Sequence, residues 1–179
     1  HAGLDQNNRR FTLATSWVDF DMDGDQDLYV ANDYGRNNLY RNDLDQNGVV
    51  KFVDIAAEAG VEDMSAGMSV SWADADQDGD LDLYVSNMWS SAGNRITYQR
   101  QFQENSDEES LKGFRRHARG NSLFINSGNG TFKDLSLESG TSMGRWAWGS
   151  RFADINNDGL QDILVANGFI TQPEDSGDL

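Results

Sequence analysis

Cysteine is missing from all 179 residues, which excludes disulfides, zinc–thiolate centres and thiol catalysis. Basic side chains are scarce: 14 Lys and Arg stand against 30 Asp and Glu, for a net charge of -16. That balance argues against nucleic acid, whose phosphates call for a basic footprint. No apolar run approaches the length of about eighteen residues that a membrane span requires, so no membrane span is expected. Histidine occurs only as His1 and His117. A copper brace built on His1 would need a second histidine, and a cluster is absent, so copper chemistry is set aside. No nucleophile–base arrangement emerges either. His1-Ala2-Gly3 reads as an internal or processed start without a signal peptide.

The acidity that is present is concentrated. Three nine-residue strings run Asp19 to Asp27 (DFDMDGDQD), Asp74 to Asp82 (DADQDGDLD) and Asp154 to Asp162 (DINNDGLQD). Thirteen of the thirty acidic residues lie in them. Each string has oxygen-bearing side chains at positions 1, 3, 5 and 9, and glycine at position 6. Calcium takes six to eight oxygens in flexible geometry, and such closely spaced carboxylates suit it. The glycine permits a backbone turn that a β-carbon would oppose.

Ligand roles follow by position. Asp19, Asp21, Asp23 and Asp27 would offer side chains to the first ion, and Asp25 its main-chain carbonyl. Asp74, Asp76, Asp78 and Asp82 would serve the second, with the Asp80 carbonyl. Asp154, Asn156, Asp158 and Asp162 would serve the third, with the Leu160 carbonyl. A leucine side chain cannot ligate, which supports the backbone role at position 7. Asn156 lowers the charge of the third site, which is therefore expected to bind most weakly. Three divalent ions would offset six of the sixteen net negative charges, and without metal the crowded carboxylates should leave these loops mobile.

An EF-hand is excluded by one position. That loop requires a bidentate Glu at position 12, and here position 12 is Val30, Val85 and Val165. Valine there marks entry into a buried strand, so these are loops between strands. Weak, millimolar-range calcium affinity belongs to extracellular modules, which places the protein outside the cytoplasm: extracellular, cell-surface or periplasmic.

An internal repeat decides the fold class. Trp17-Val18-Asp19 matches Trp72-Ala73-Asp74 and Phe152-Ala153-Asp154. Asn37-Asn38-Leu39-Tyr40-Arg41-Asn42 matches Asn121-Ser122-Leu123-Phe124-Ile125-Asn126. Phe52-Val53-Asp54 matches Phe132-Lys133-Asp134, and Glu58-Ala59-Gly60 matches Glu138-Ser139-Gly140. Gly128-Asn129-Gly130 is a hairpin signal. One unit reads strand, calcium loop, strand, connection, strand, tight turn, strand, Gly-terminated connection. Four short antiparallel strands in roughly 50 residues is the arithmetic of a β-propeller blade. The expected fold is all-β, with about two and a half blades over units near 11–66, 67–143 and 144–170. One charged insertion, near 90–118, interrupts the second unit. Within it Ser106 and Glu109 fit a capping box, and a short helix is expected from about Asp107 to Arg116, with Glu108 and Lys112 at i, i+4, on one rim of the propeller.

These loops, the aliphatic strand after each and the Asn-x-Leu-Tyr/Phe-x-Asn hairpin resemble the FG-GAP/VCBS repeat family, which builds the β-propellers of integrin α-subunits. Gly-Asn-Gly-Thr-Phe and Glu-x-x-Gly bring the chain nearest to bacterial exported proteins and the cartilage-acidic-protein type with an ASPIC domain. The resemblance covers nearly everything outside 90–118 and implies calcium at the positions named above. It implies a role in extracellular binding, adhesion or surface and filament assembly, with a protein or glycan ligand. Two departures stand out. The naming tripeptides are eroded to Gly67-Met68-Ser69-Val70 and Ala147-Trp148-Gly149-Ser150. The blades are also too few, since closed propellers have four to eight, and Asp175 to Leu179 is no closing strand. The partners expected are therefore the remaining blades on a longer chain, or copies of this chain in a homo-oligomer or filament.

The remaining candidates have plain readings. Arg115-Arg116-His117-Ala118-Arg119 reads as a solvated helix end that complements the helix dipole, with an anion site as its alternative. Asp43-Leu44-Asp45-Gln46-Asn47-Gly48 begins like a fourth loop, but Lys51 at position 9 opposes metal, leaving a hairpin turn. Trp17 and Trp72 are expected in blade cores, as are Trp146 and Trp148, while Trp89 is placed to line a binding face. The alternative to a binding role is a calcium-dependent lyase or hydrolase acting on polysaccharide, using the basic residues of 115–119.

Overall fold

A computed structural model describes residues 2–44 and 47–168. His1, Asp45, Gln46 and 169–179 lie outside the described residues, and with them the expectations for His1 and for Asp175 to Leu179. The chain is mostly β. Its first sheet takes β1 (Thr12–Val18), β2 (Asp27–Asn32), β3 (Asn38–Leu44) and β4 (Val50–Asp54), in chain order and antiparallel throughout. After the one-turn helix α1 (Ala56–Ala59), closed by Gly60 at φ 78°, the plan repeats. The second sheet holds β5 (Gly67–Ala73), β6 (Asp82–Asn87), β7 (Ser122–Asn126) and β8 (Phe132–Asp134), again in order. A third pair, β9 (Ala147–Ala153) and β10 (Asp162–Asn167), begins another unit. These are propeller-like blades. Their first strands lie side by side, β1 against β5 and β5 against β9, and they form no closed barrel among the described residues.

Apolar alternation explains the layering. In β2 and β6 every residue is buried: β6 lies between the first and third blades, and β2 between the second blade and a cluster of Tyr40, Phe52 and Leu4. The main core lies between the first two blades and joins Val18, Phe20 and Tyr29 to Leu83, Val85 and Phe124. The third blade adds Phe152 to Tyr84 and Leu123. Each inner strand carries a β-bulge at one repeat position, occupied by Leu13, Met68 and Trp148. The eroded tripeptides fall at this bulge in the second and third blades.

The insertion holds more helix than the sequence foretold: α2 (Ser91–Thr97) as well as α3 (Glu108–Arg119). The cap of α3 is Asp107 and not Ser106. The Asp107 carboxylate accepts the Ser110 N–H at 2.7 Å, whereas Ser106 donates its own N–H to the Gln103 carbonyl. Glu108 faces Arg115 at 3.6 Å, a turn beyond Lys112. The helix also continues past Arg116, and its basic end is not solvated. Arg116 bridges Asp63 and Asp134, each at 2.8 Å, and Arg119 meets Asp134 at 2.9 Å. His117 stacks on Tyr34. Charge complementarity with Asp63 and Asp134, rather than the helix dipole, fixes this end.

Three tryptophan expectations also need correction. Trp72 packs against the main core as expected, but Trp17, Trp146 and Trp148 are exposed. Trp17 lies on the face of the first blade turned away from the second. Trp148 occupies the bulge of β9 and lies over Gly168.

Candidate metal loops and their supporting hydrogen bonds

Each acidic loop is the connection between the first two strands of its blade. The strands close on Val18–Asp27, Ala73–Asp82 and Ala153–Asp162 pairs. Position 9 therefore belongs to the strand, and positions 1 to 8 bulge from it. The three loops share one backbone. Position 6 is left-handed in all of them, with φ 96° at Gly24, 99° at Gly79 and 85° at Gly159. Position 4 is left-handed too, at Met22 (57°), Gln77 (63°) and Asn157 (59°), an uncommon conformation for side-chain-bearing residues. Sequence pattern alone missed position 4, because Met and Gln disguise what Asn157 hints at.

The internal hydrogen bonds repeat as well. The position 1 carboxylate accepts the N–H of the glycine: Gly24 to Asp19 at 3.2 Å, Gly79 to Asp74 at 3.1 Å, Gly159 to Asp154 at 2.9 Å. The position 5 carboxylate accepts the N–H of position 7: Asp25 to Asp23, Asp80 to Asp78, Leu160 to Asp158. These bonds curl the loop so that its carboxylates converge. Oxygens of Asp19, Asp21 and Asp27 come within 4.8 Å of one another, as do those of Asp74, Asp76 and Asp78.

Position 9 has a second task. Asp27 Oδ2 accepts the Phe20 N–H at 3.2 Å and its Oδ1 the Asn42 N–H at 2.8 Å. Asp82 does the same with Ala75 and Asn126, both at 2.8 Å. Asp162 accepts Ile155 at 3.1 Å. One buried carboxylate thus ties the loop to the third strand of the blade. The Asn42 and Asn126 side chains return the tie by donating to the Gln26 and Leu81 carbonyls. Both asparagines were visible as a repeated hairpin pattern, but their role as clasps was not.

Such packing weakens the hold of five of these carboxylates on negative charge. Burial pushes Asp27 up to about 7, against the opposing pull of the Asn42 and Phe20 N–H groups. Burial likewise raises Asp82, and burial together with a neighbouring loop aspartate raises Asp21, Asp25 and Asp76. A bound cation inverts this effect.

The loops also pass a direct test of fit. Buried oxygens without a hydrogen-bond partner are rare in folded proteins, yet Asp19 Oδ1, Asp25 Oδ1 and Asp74 Oδ1 are all in that state. They sit among other carboxylate oxygens, an all-oxygen donor set that suits a hard divalent cation. The third loop differs. Both Asp154 oxygens accept N–H groups, from Asp158 and Gly159, and the Asn156 amide donates to Asp158 at 3.0 Å. Leu160 is exposed and contributes no side-chain donor.

Asp63 was not foreseen. It is buried in the connection between the first two blades, where Asn87, Ser122 and Arg116 all donate to its carboxylate. No repeat flags it in the sequence.

Comparison with known proteins gives a matching picture. A family model described as "FG-GAP-like repeat" matches residues 19–85 and 114–165. Cartilage acidic protein 1 of Mus musculus is 31% identical over 162 residues, covering 84% of this chain. The chain spans 20% of that relative's length.

Proposed function

This chain belongs to the FG-GAP-like repeat family, and from that premise we propose that it is a calcium-pinned segment of an extracellular β-propeller acting in binding or adhesion. FG-GAP repeats occur in extracellular and surface proteins, and no helix among the described residues is long and apolar enough to cross a membrane. The observation that carries the calcium reading is the pair of buried, unpartnered oxygens on Asp19 and Asp74, at one position of two loops with one backbone. Calcium there would be held by the Asp19, Asp21, Asp23 and Asp27 side chains, by their counterparts Asp74, Asp76, Asp78 and Asp82, and by the Asp25 and Asp80 carbonyls. Asp154, Asn156, Asp158 and Asp162, with the Leu160 carbonyl, form the third site. The ion's role is structural: it neutralises the carboxylates and rigidifies the turn that joins the two inner strands of each blade.

Arg116 and Arg119, which a polysaccharide-cleaving enzyme would need as free cations, are engaged with Asp63 and Asp134. That commitment favours a binding surface over catalysis. The partners that fit are further blades, and a protein or glycan ligand on the assembled face.

Calorimetric titration combined with thermal melts tests the proposal. At a hundred times its dissociation constant one ion adds about 2.7 kcal/mol, so two filled sites should raise Tm by about 10–20 °C for a domain of this size. Asp23→Ala or Asp78→Ala should lower Tm in calcium and change it little in chelator. Equal losses in both conditions would refute the ligand assignment.

A further inference from the structure

Asn42 and Asn126 hold one position of the repeat, yet their side chains are committed differently. Each backbone N–H goes to the position 9 carboxylate of its own loop, Asn42 to Asp27 and Asn126 to Asp82, both at 2.8 Å. Each side chain also donates to the carbonyl just before that aspartate, Gln26 in one blade and Leu81 in the other. Asn126 makes a further bond. Its amide reaches out of its own blade and donates to the Phe20 carbonyl of the first loop at 3.1 Å, across 106 positions of sequence. Its Oδ1 accepts the Gly128 N–H, whereas Asn42 Oδ1 is buried without a partner among the described residues.

Phe20 is held where it can receive that bond. Its ring is buried and packs on Phe132 of the second blade, 5.9 Å between centroids. The same position of the third loop is Ile155, which is exposed. The Phe20 N–H in turn donates to Asp27 Oδ2 at 3.2 Å. A continuous path therefore runs from Asp27, through the Phe20 main chain and then Asn126, to Asp82 Oδ1. Both end groups are fully buried, and they belong to two different metal loops. A second contact spans the same gap. A β-carbon on Gly128, in the turn after Asn126, would lie 2.7 Å from Asp80 Oδ2. Asp21 and Met22 of the first loop line one cleft with Asp80, Asn126 and Gly128. The second and third loops meet differently, through an exposed bond from Gln77 Nε2 to the Gly159 carbonyl at 2.7 Å.

We infer that Asn126 is a positioning residue that couples the first two calcium sites, so that ordering one loop strengthens binding at the other. The coupling rests on the calcium reading above and adds to it a dependence between sites. Without metal, crowded carboxylates oppose the closed form of each loop. Once Asp82 is fixed, Asn126 is fixed with it, and the Phe20 main chain and Asp27 are in place before their own ion arrives. A loop ordered beforehand costs its ligand less conformational entropy. The effect runs equally in reverse, because coupling between two binding sites is reciprocal. The third loop, joined through an exposed bond, should titrate nearly independently.

Calorimetric calcium titration tests this in an Asp158→Ala background, which removes the third site. Asp78→Ala leaves the first site by itself, and Asp23→Ala leaves the second. Each should bind about fivefold more weakly by itself than when the other site is filled. In a double-mutant cycle, Asn126→Ala should erase that gap. Asn126→Asp keeps the side chain's shape and loses its donor, so it should erase the gap even where the alanine variant fails to fold. Asn42→Ala controls for stability: it should lower Tm and leave the gap intact. A gap that survives the Asn126 variants, or that vanishes in Asn42→Ala, would overturn the role of Asn126. Two independent sites would overturn the coupling and leave the calcium reading standing, whereas an absence of calcium binding in the unaltered protein would overturn both.

Discussion

In the first two acidic loops the leading aspartate keeps one buried oxygen without a hydrogen-bond partner, while in the third both oxygens of Asp154 accept backbone N–H groups. The first two loops are also clasped to a third strand through Asp27 with Asn42 and Asp82 with Asn126. Asp162 holds only its own loop, through Ile155. The backbones nonetheless agree at both left-handed positions. Loop shape is thus set within nine residues, whereas burial, clasping and the supply of free oxygens depend on the rest of the blade. A motif match alone overstates how alike the three sites are.

The largest effect should come from cutting a clasp. Asp27→Ala leaves two buried N–H donors, each costing about 1–3 kcal/mol, so a loss of about 3–5 kcal/mol is expected in denaturant melts made in chelator. Asp162→Ala should cost about 1 kcal/mol under the same conditions. Equal losses would break the distinction between clasped and unclasped loops.

Acidity should divide them next. Asp27 rises from its ordinary 3.8 to about 7, so its protonated form is the one the metal-free fold favours. In chelator, stability should be greatest below about pH 4 and fall as pH rises through about 7, because ionisation in the fold is opposed. Calcium should reverse that trend, since the ion requires the carboxylate. A chelated protein that gains stability from pH 4 to 7 would contradict the burial argument. Asp27→Asn should flatten the profile.

Calcium titration sharpens the comparison further: two sites should fill before the third. Asn156→Asp replaces an amide donor with a carboxylate, and should tighten the last site by about tenfold, or about 1.4 kcal/mol. Three indistinguishable sites in the unaltered protein would remove the comparison.

The antiparallel β plan and its repetition were legible because they are periodic: apolar strand, acidic loop, apolar strand. The left-handed turn at Met22 and Gln77 was not, since neither residue type advertises it. Asp63 and its partnership with Arg116 escaped for a different reason. They lie 53 residues apart and join the insertion, which does not recur, to a position of the connection that no repeat marks. The exposure of Trp17 was hidden by the repeat itself, which predicts a buried ring wherever a preceding blade exists. Local chemistry can be read from one string, but a contact between a repeat and a non-repeated element requires the folded chain.

The Arg116–Asp63 pair has a consequence for how such a segment comes apart. Asp63 also holds Asn87 and Ser122 of the second blade, at the end of the strands remote from the acidic turns. That seam is built wholly from the chain, whereas an ion in the acidic loops would act within a blade, on the turn between its two inner strands. Withdrawing calcium should therefore quicken amide exchange in the acidic turns and leave the seam around Asp63, and the apolar core between the first two blades, closed.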